Sequence, residues 1–263
     1  MAALLVLGLL GLSAAGAGVV SPWDPAVQDR ERPQAPPGRE HLLGTDELGR
    51  DLLSRLLHAG RWSLVAASGA VALSMGAGAA AGLLAATAGG RADQLILWCC
   101  DLTMSLPWLY VLFAIRGLLP LSLRGEIAFA GVILLLGVIG WPGPARVVRA
   151  SAQVALQSDY VRAARGFGAT RWHLMKRHLL PAAGWALLPQ FFVLLPRYVM
   201  AEASLSFFGL GLGEPVPSWG TMLAAVRHGL AGEAGWWMFA PVVPMVLLLI
   251  SSSVLAASAH RKT

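Results

Sequence analysis

The chain has 263 residues, of which 56% are apolar and only 13% charged, with a formal net charge of +6 and a pI near 10.1. Soluble domains carry roughly twice that share of charge, so the composition excludes an ordinary soluble globular enzyme and fits a polytopic membrane protein. The basic excess would suggest nucleic acid in a soluble protein. Here it is concentrated in a segment between apolar runs, which points to membrane topology and to no nucleic-acid partner.

A membrane-crossing helix needs roughly 20 apolar residues. Six windows satisfy this: 2–20, 62–88, 94–115, 126–145, 182–208 and 236–259. The first resembles a signal peptide in its Ala15-Gly16-Ala17 end, but no Lys or Arg precedes Arg30, so a retained span is the better reading. The expectation is an all-α polytopic protein of about six transmembrane helices. Residues 1–20 form an N-terminal helix, 21–60 an extracytoplasmic linker and interfacial helix, and 61–260 the transmembrane domain, with a loop at 146–180.

Between the first two windows, five prolines (Pro22, Pro25, Pro33, Pro36 and Pro37) predict an extended linker. In "GTDELGRDLLSRLLHAGR", Thr45 or Asp46 is placed to cap a helix whose Leu48, Leu52, Leu53, Leu56 and Leu57 share one face, an interfacial arrangement on membrane lipid. The second window contains Gly69, Gly76, Gly78 and Gly82, and the GxxxG spacing of Gly78 and Gly82 predicts close approach of another helix. Cys99 and Cys100 have no acid or His grouping at ligand spacing and read as packing residues. Prolines at 107, 189, 196, 241 and 244 predict kinks in the third, fifth and sixth spans.

From Pro144 to Leu180 there are seven Arg/Lys against one acid, Asp159, whereas residues 21–61 hold six basic residues against seven acids. By the positive-inside rule the former lies in the cytoplasm and the latter outside, and His260-Arg261-Lys262 also lies inside. Six spans with both termini cytoplasmic satisfy all three. Within the basic loop, Ser158 and Thr170 are placed to cap two short helices separated by Gly166 and Gly168, with Pro181 at the entry to the fifth span. The first helix presents Tyr160, Ala163, Ala164 and Phe167 at i, i+3, i+4, i+7 spacing, a face suited to docking in a groove on a protein partner. A loop that merely sets topology or rests on anionic lipid explains the charge but not the double cap.

No engine is present. The chain has two lysines, Lys176 and Lys262, and neither stands in a P-loop; HExxH and GxSxG are absent. No catalytic residues, cofactor or metal are expected. Ionisable residues in or near the spans are candidate pathway or scaffold groups, namely Asp93, Asp101, Arg197 and Glu202.

At Arg162-Ala163-Ala164, Gly168 and Leu179-Leu180-Pro181 the chain resembles the permease subunits of binding-protein-dependent ABC importers, whose cytoplasmic loop carries an EAA–Gly–Leu-Pro pattern. Three further stretches, "HLLGTDELGRDLLSRLLHAGRWSL", "GGRADQLILWCCDLTMSLP" and "AEASLSFFGLGLGEPVPSWGTML", are similar to the C-type subunit of the dipeptide/oligopeptide/nickel family. Two departures stand out: Arg162 occupies the place of the motif's Glu, and the tail reads "SAHRKT". The resemblance implies a type I importer fold and a bacterial or archaeal plasma-membrane location. Its implied partners are a second permease, two cytoplasmic ATPase subunits and an extracytoplasmic solute-binding protein. The implied cargo is a peptide or a similar small solute, nickel being within the family's range. It also implies that Tyr160, Arg162, Ala163, Ala164, Arg165, Phe167, Gly168, Leu180 and Pro181 serve ATPase coupling. Gly44, Thr45, Asp46, Gly49, Arg50 and Asp51 form an outer-segment motif. A channel or secondary carrier without an ATPase is the competing class; an intramembrane enzyme is remote.

Overall fold

A computed structural model describes residues 1–118, 125–211, 213–214, 216–229 and 235–260. Among these the structure is all helical, with α1 (Ala2–Ala15), α2 (Ala17–Val20), α3 (Leu52–Ala88), α4 (Gly90–Ser105), α5 (Trp108–Leu118) and α6 (Gly125–Ile139) in the first half. The second half holds α7 (Pro142–Gln157), α8 (Asp159–Gly166), α9 (Arg171–Leu174), α10 (Leu180–Phe207), α11 (Trp219–Gly229) and α12 (Val242–His260).

Three continuous helices are long and apolar enough to cross a membrane: Leu52–Ala88, Trp172–Phe207 and Trp237–Ala259. Two bent helix pairs also reach that length and apolarity when each pair is taken together. The 94–115 window divides at Pro107, where Gly90–Ser105 and Trp108–Ile115 meet at 82°, and the 126–145 window divides before Pro142, where the axes bend by 44°. Both prolines lack the N–H that would carry the helix ladder through, and the interruption is tolerated inside a bundle because neighbours satisfy the freed carbonyls. The 2–20 window is shorter than expected: α1 has 14 residues and the chain breaks at Gly16. At about 1.5 Å per residue α1 alone does not traverse the bilayer core; it packs against α3 and α12. By contrast Pro189 and Pro196 lie within an unbroken α10, and Pro241 immediately precedes α12.

The core forms where α3, α5, α6, α10 and α12 meet, around Val71, Leu112, Val132, Leu136, Leu205 and Leu248. A second cluster joins α3, α7 and the start of α10 through Leu83, Val148, Ala152 and Leu179. The small-residue face of α3 sets this contact. A Cβ on Gly78 would lie 2.6 Å from the Pro144 Cβ, and one on Gly82 would lie 2.4 Å from the Ala145 carbonyl oxygen. The helices therefore touch backbone to backbone, as the GxxxG spacing predicts. Large apolar side chains on the outer faces of α1, α4 and α12, such as Leu9, Trp98 and Ile250, remain exposed, as expected of surfaces that meet lipid. Cys100 is buried and Cys99 half-buried, both as free thiols, and no His/Cys/Asp/Glu group among the described residues could hold a metal.

Candidate functional site

The basic loop is an elbow built from α8, a Schellman turn and the continuous 172–207 helix. Ser158 ends α7 and begins α8, but its hydroxyl donates back to the Ala155 carbonyl and does not cap α8. The bond to α7 turns the hydroxyl back on the preceding helix, and its oxygen accepts no amide of α8. Asp159 in the first turn and Arg165 in the last complement the dipole of α8. Gly168 takes φ +82°, and the amides of Gly168 and Ala169 bond to the carbonyls of Arg165 and Ala164 at 3.0 Å each. That is the left-handed helix stop its position predicts.

Val161 anchors α8 at zero exposure, leaving Tyr160, Arg162, Ala163, Arg165 and Phe167 exposed and Ala164 half-buried. Phe167 is 93% exposed. Tyr160 and Phe167 thus flank the exposed Ala163 and half-buried Ala164, with the Tyr160 ring 5.5 Å from that of His178. Arg162, in the place of the motif's glutamate, lies 3.9 Å from Asp159, an open surface pair of little energetic weight.

Beyond the turn, Thr170 Oγ1 accepts the His173 amide at 3.2 Å. The second elbow helix is not a separate element ending at Leu180-Pro181. It runs through a π turn at Met175–Leu179 into α10, with Pro181 in the first turn of that helix. A π turn shifts the hydrogen-bond ladder, and a proline in a first turn needs no N–H partner. Leu180 and Pro181 are exposed on this junction. The elbow is therefore rigidly joined to a helix that reaches Phe207 on the far side of the bundle.

The far side carries a second ordered cluster. Residues 22–37 do not extend away but fold back on 44–50: the Asp29 amide bonds Gly49, Gln34 bonds Asp46 and Thr45 bonds Ala35. Gly44 and Gly49 make this fold possible. Both have positive φ, and a Cβ on Gly49 would fall 1.9 Å from the Asp29 carbonyl oxygen. The helix expected from Thr45 or Asp46 begins instead at Leu52, where Asp51 accepts the Ser54 amide at 2.8 Å. Asp46 is used otherwise, accepting the amides of Leu48 and Arg50 at 2.9 Å each and the Arg50 side chain at 2.7 Å. Thr45 Oγ1 accepts the Ala35 amide and donates to the Arg32 carbonyl. Leu52–Ala88 is then one helix, not an interfacial helix followed by a span.

Arg50 and the almost fully buried Arg55 converge on Glu214 from the α10–α11 connection, at 2.9 and 2.8 Å. This clasp ties the 44–55 region to residues that follow α10. Partial burial works against the Glu214 charge, but Arg55 and Arg50 outweigh it and hold the carboxyl below the usual carboxylate range. His41 Nδ1 lies 2.9 Å from Asp51. Sequence reading selected Asp46, Arg50 and Asp51 but missed Arg55, Glu214 and His41; the only available signal was the presence of an acid in an otherwise apolar "GLGLGEPVP" stretch.

The remaining candidates separate. Asp101 pairs with Arg146 and Asp93 with Arg149, joining α4 to α7. Glu202 does not pair with Arg197. It is wholly buried and accepts hydroxyl bonds from Ser63 at 3.1 Å and Ser206 at 2.6 Å, while the Ser63 oxygen accepts the Trp219 amide. These bonds join α3, α10 and the start of α11. Arg197 instead lies over the Trp108 ring, 4.6 Å from its centroid.

Residues 78–263 match the family model described as binding-protein-dependent transport system inner membrane component. The chain is 37% identical over 259 residues to the di/tripeptide transport system permease protein DppC of Pseudomonas aeruginosa, covering 96% of this chain and 82% of that protein. It is 34% identical over 223 residues to the probable D,D-dipeptide transport system permease protein DdpC of Escherichia coli, covering 83% and 72%. Against the oligopeptide transport system permease protein OppC of Bacillus subtilis it is 30% identical over 222 residues, covering 84% and 71%. A helical membrane bundle with an elbow at one end and the match over most of its length place this chain among the binding-protein-dependent inner-membrane permeases, the membrane-spanning subunits of ABC importers.

Proposed function

We propose that the chain forms half of a membrane pathway for short peptides, paired with a second permease and driven by two cytoplasmic ATPase subunits. An extracytoplasmic binding protein delivers the peptide to the clasp side, and both termini lie in the cytoplasm, with α1 and α2 together making the first crossing. The observation that carries this reading is the elbow. An exposed Tyr160–Ala163–Phe167 face is fixed by Val161 and joined through a π turn to a 36-residue helix, Trp172–Phe207. That construction transmits displacement. A push on α8 from an ATPase closing on ATP moves a helix that reaches the opposite side of the bundle, as a rigid body. The names of the relatives, which specify di/tripeptides, D,D-dipeptides and oligopeptides, favour peptides as cargo.

The test is purification of the tagged chain with whatever accompanies it, reconstitution in liposomes, and uptake of radiolabelled trialanine with and without ATP. Uptake that requires ATP and a co-purifying ATPase supports the proposal. Uptake by the chain alone, without ATPase, would establish a channel or secondary carrier.

A further inference from the structure

Where the two bent helix pairs meet α10 there is a cavity of about 320 Å³, lined by Thr103, Trp108, Leu112, Gln190, Arg197 and Tyr198 among others. Its size is within the range of small-ligand sites, and non-helical backbone at membrane depth is expected where it borders such a space. Arg197 is ten residues before Phe207, the end of α10. It lies within Trp172–Phe207, a helix apolar and long enough to cross a membrane, and its side chain is exposed in the isolated chain. A permanent cation on a membrane-crossing helix is costly unless something offsets it.

Among the described residues no acid pairs with Arg197, whereas Arg146 and Arg149 on α7 each face an aspartate. What Arg197 has is the Trp108 ring at 4.6 Å. This cation–π contact engages the guanidinium without using its N–H groups, which are left for a planar, bidentate acceptor. Gln190, two helical turns earlier, lines the same cavity with an amide that both donates and accepts. The remaining lining is largely apolar.

We propose that this cavity is a carboxylate-binding subsite of the pathway, in which Arg197 takes the C-terminal carboxylate of the peptide and Gln190 its last amide. The assignment rests on the peptide reading above. Arg197 is then a binding residue, held in place by Trp108, and its role is distinct from that of the elbow and of the clasp.

Two measurements on the reconstituted complex test it. In the first, uptake of trialanine and of trialanine amide is compared, each at a concentration that calorimetry shows to saturate the binding protein. Arg197→Gln is expected to slow the free acid at least tenfold and the amide less than twofold, with Arg197→Lys intermediate. Equal loss of both substrates, or no loss, overturns the assignment. In the second, modification of Arg197 by phenylglyoxal is followed by mass spectrometry. Trialanine or propionate should slow it severalfold and the corresponding amides should not. Labelling that is unaffected by carboxylates, or an Arg197 that is never labelled because the partner permease covers it, overturns the site. Carboxylate protection without any peptide uptake by the unmodified complex overturns the peptide reading and leaves the anion site standing.

Discussion

The clasp gives a quantitative prediction. Glu214→Gln keeps the shape of the side chain but removes the charge that meets Arg50 and Arg55. Breaking a fully buried ion pair costs about 3–5 kcal/mol. Two facts reduce that figure: the Glu214 side chain is 49% exposed, and Arg50 keeps Asp46 at 2.7 Å. Arg55 keeps only a 3.5 Å approach to Asp46. After allowance for solvent screening about 1–2 kcal/mol remains, equivalent to a fall of roughly 2–8 °C in melting temperature. The assay is thermal unfolding of the complex in nanodiscs, with amide exchange of residues 208–218 as the local readout. The pH dependence has a defined sign. Because the folded-state pKa is depressed, the stabilisation is complete at neutral pH and is lost as pH falls through that lowered value. The gap between the two proteins should therefore be constant near neutrality and close only below the usual carboxylate range. An unchanged melting temperature together with unchanged exchange at 208–218 would show that the clasp does not hold the α10–α11 connection.

Three other outcomes follow from packing and hydrogen bonding. Gly82→Leu places a side chain where even a Cβ meets the Ala145 carbonyl at 2.4 Å, so α3 and α7 must separate; overpacking of this kind costs about 1–3 kcal/mol, read as lower yield and melting temperature, whereas Gly76→Leu, with open space around it, should be neutral. Glu202→Leu leaves the Ser63 proton without its acceptor and should destabilise by about 1–3 kcal/mol, while Glu202→Gln preserves an acceptor and should lose less than half as much in the same thermal assay. Gly49→Ala adds a Cβ 1.9 Å from the Asp29 carbonyl at a positive φ; loss of the 22–50 fold should appear as faster amide exchange at Gln34 and Thr45, whose bonds define it.

Glycine positions were the most legible part of the sequence, because few backbones require glycine and each requirement is local. Gly168 at the helix stop and Gly78 with Gly82 at a helix contact could be located from spacing alone. The start of α3 was harder. Thr45, Asp46 and Asp51 all have capping chemistry, and the choice is made by the left-handed turn at Gly49, which commits Asp46 to bonding its own loop. Proline at 107 signalled an interruption but not the 82° size of the bend, and the 44° bend before Pro142 falls at a proline that the sequence reading did not single out. The clasp could not be read at all. Arg50 and Arg55 find Glu214 across 164 and 159 residues, a pairing set by how α3 and α10 pack and absent from any local pattern. The same holds for Arg197, which a sequence places near Glu202 but the α5 bend places on Trp108.

The coupling role of the elbow is tested most directly by Gly168→Asp, measured against Gly168→Asn in the reconstituted complex. Gly168 has φ +82° and open space around it within this chain. Asn tolerates the left-handed region, so its cost is conformational and small; Asp adds a negative charge to a surface that only a partner would sense. ATP-driven trialanine uptake and retention of the ATPase subunits are measured together. Asn should leave both near the level of the unmodified complex, while Asp should abolish uptake or shed the ATPase with the permease still inserted and the binding protein still loaded with peptide. Full uptake and full ATPase retention with Gly168→Asp would contradict a docked elbow and reduce the segment to a loop that only sets topology.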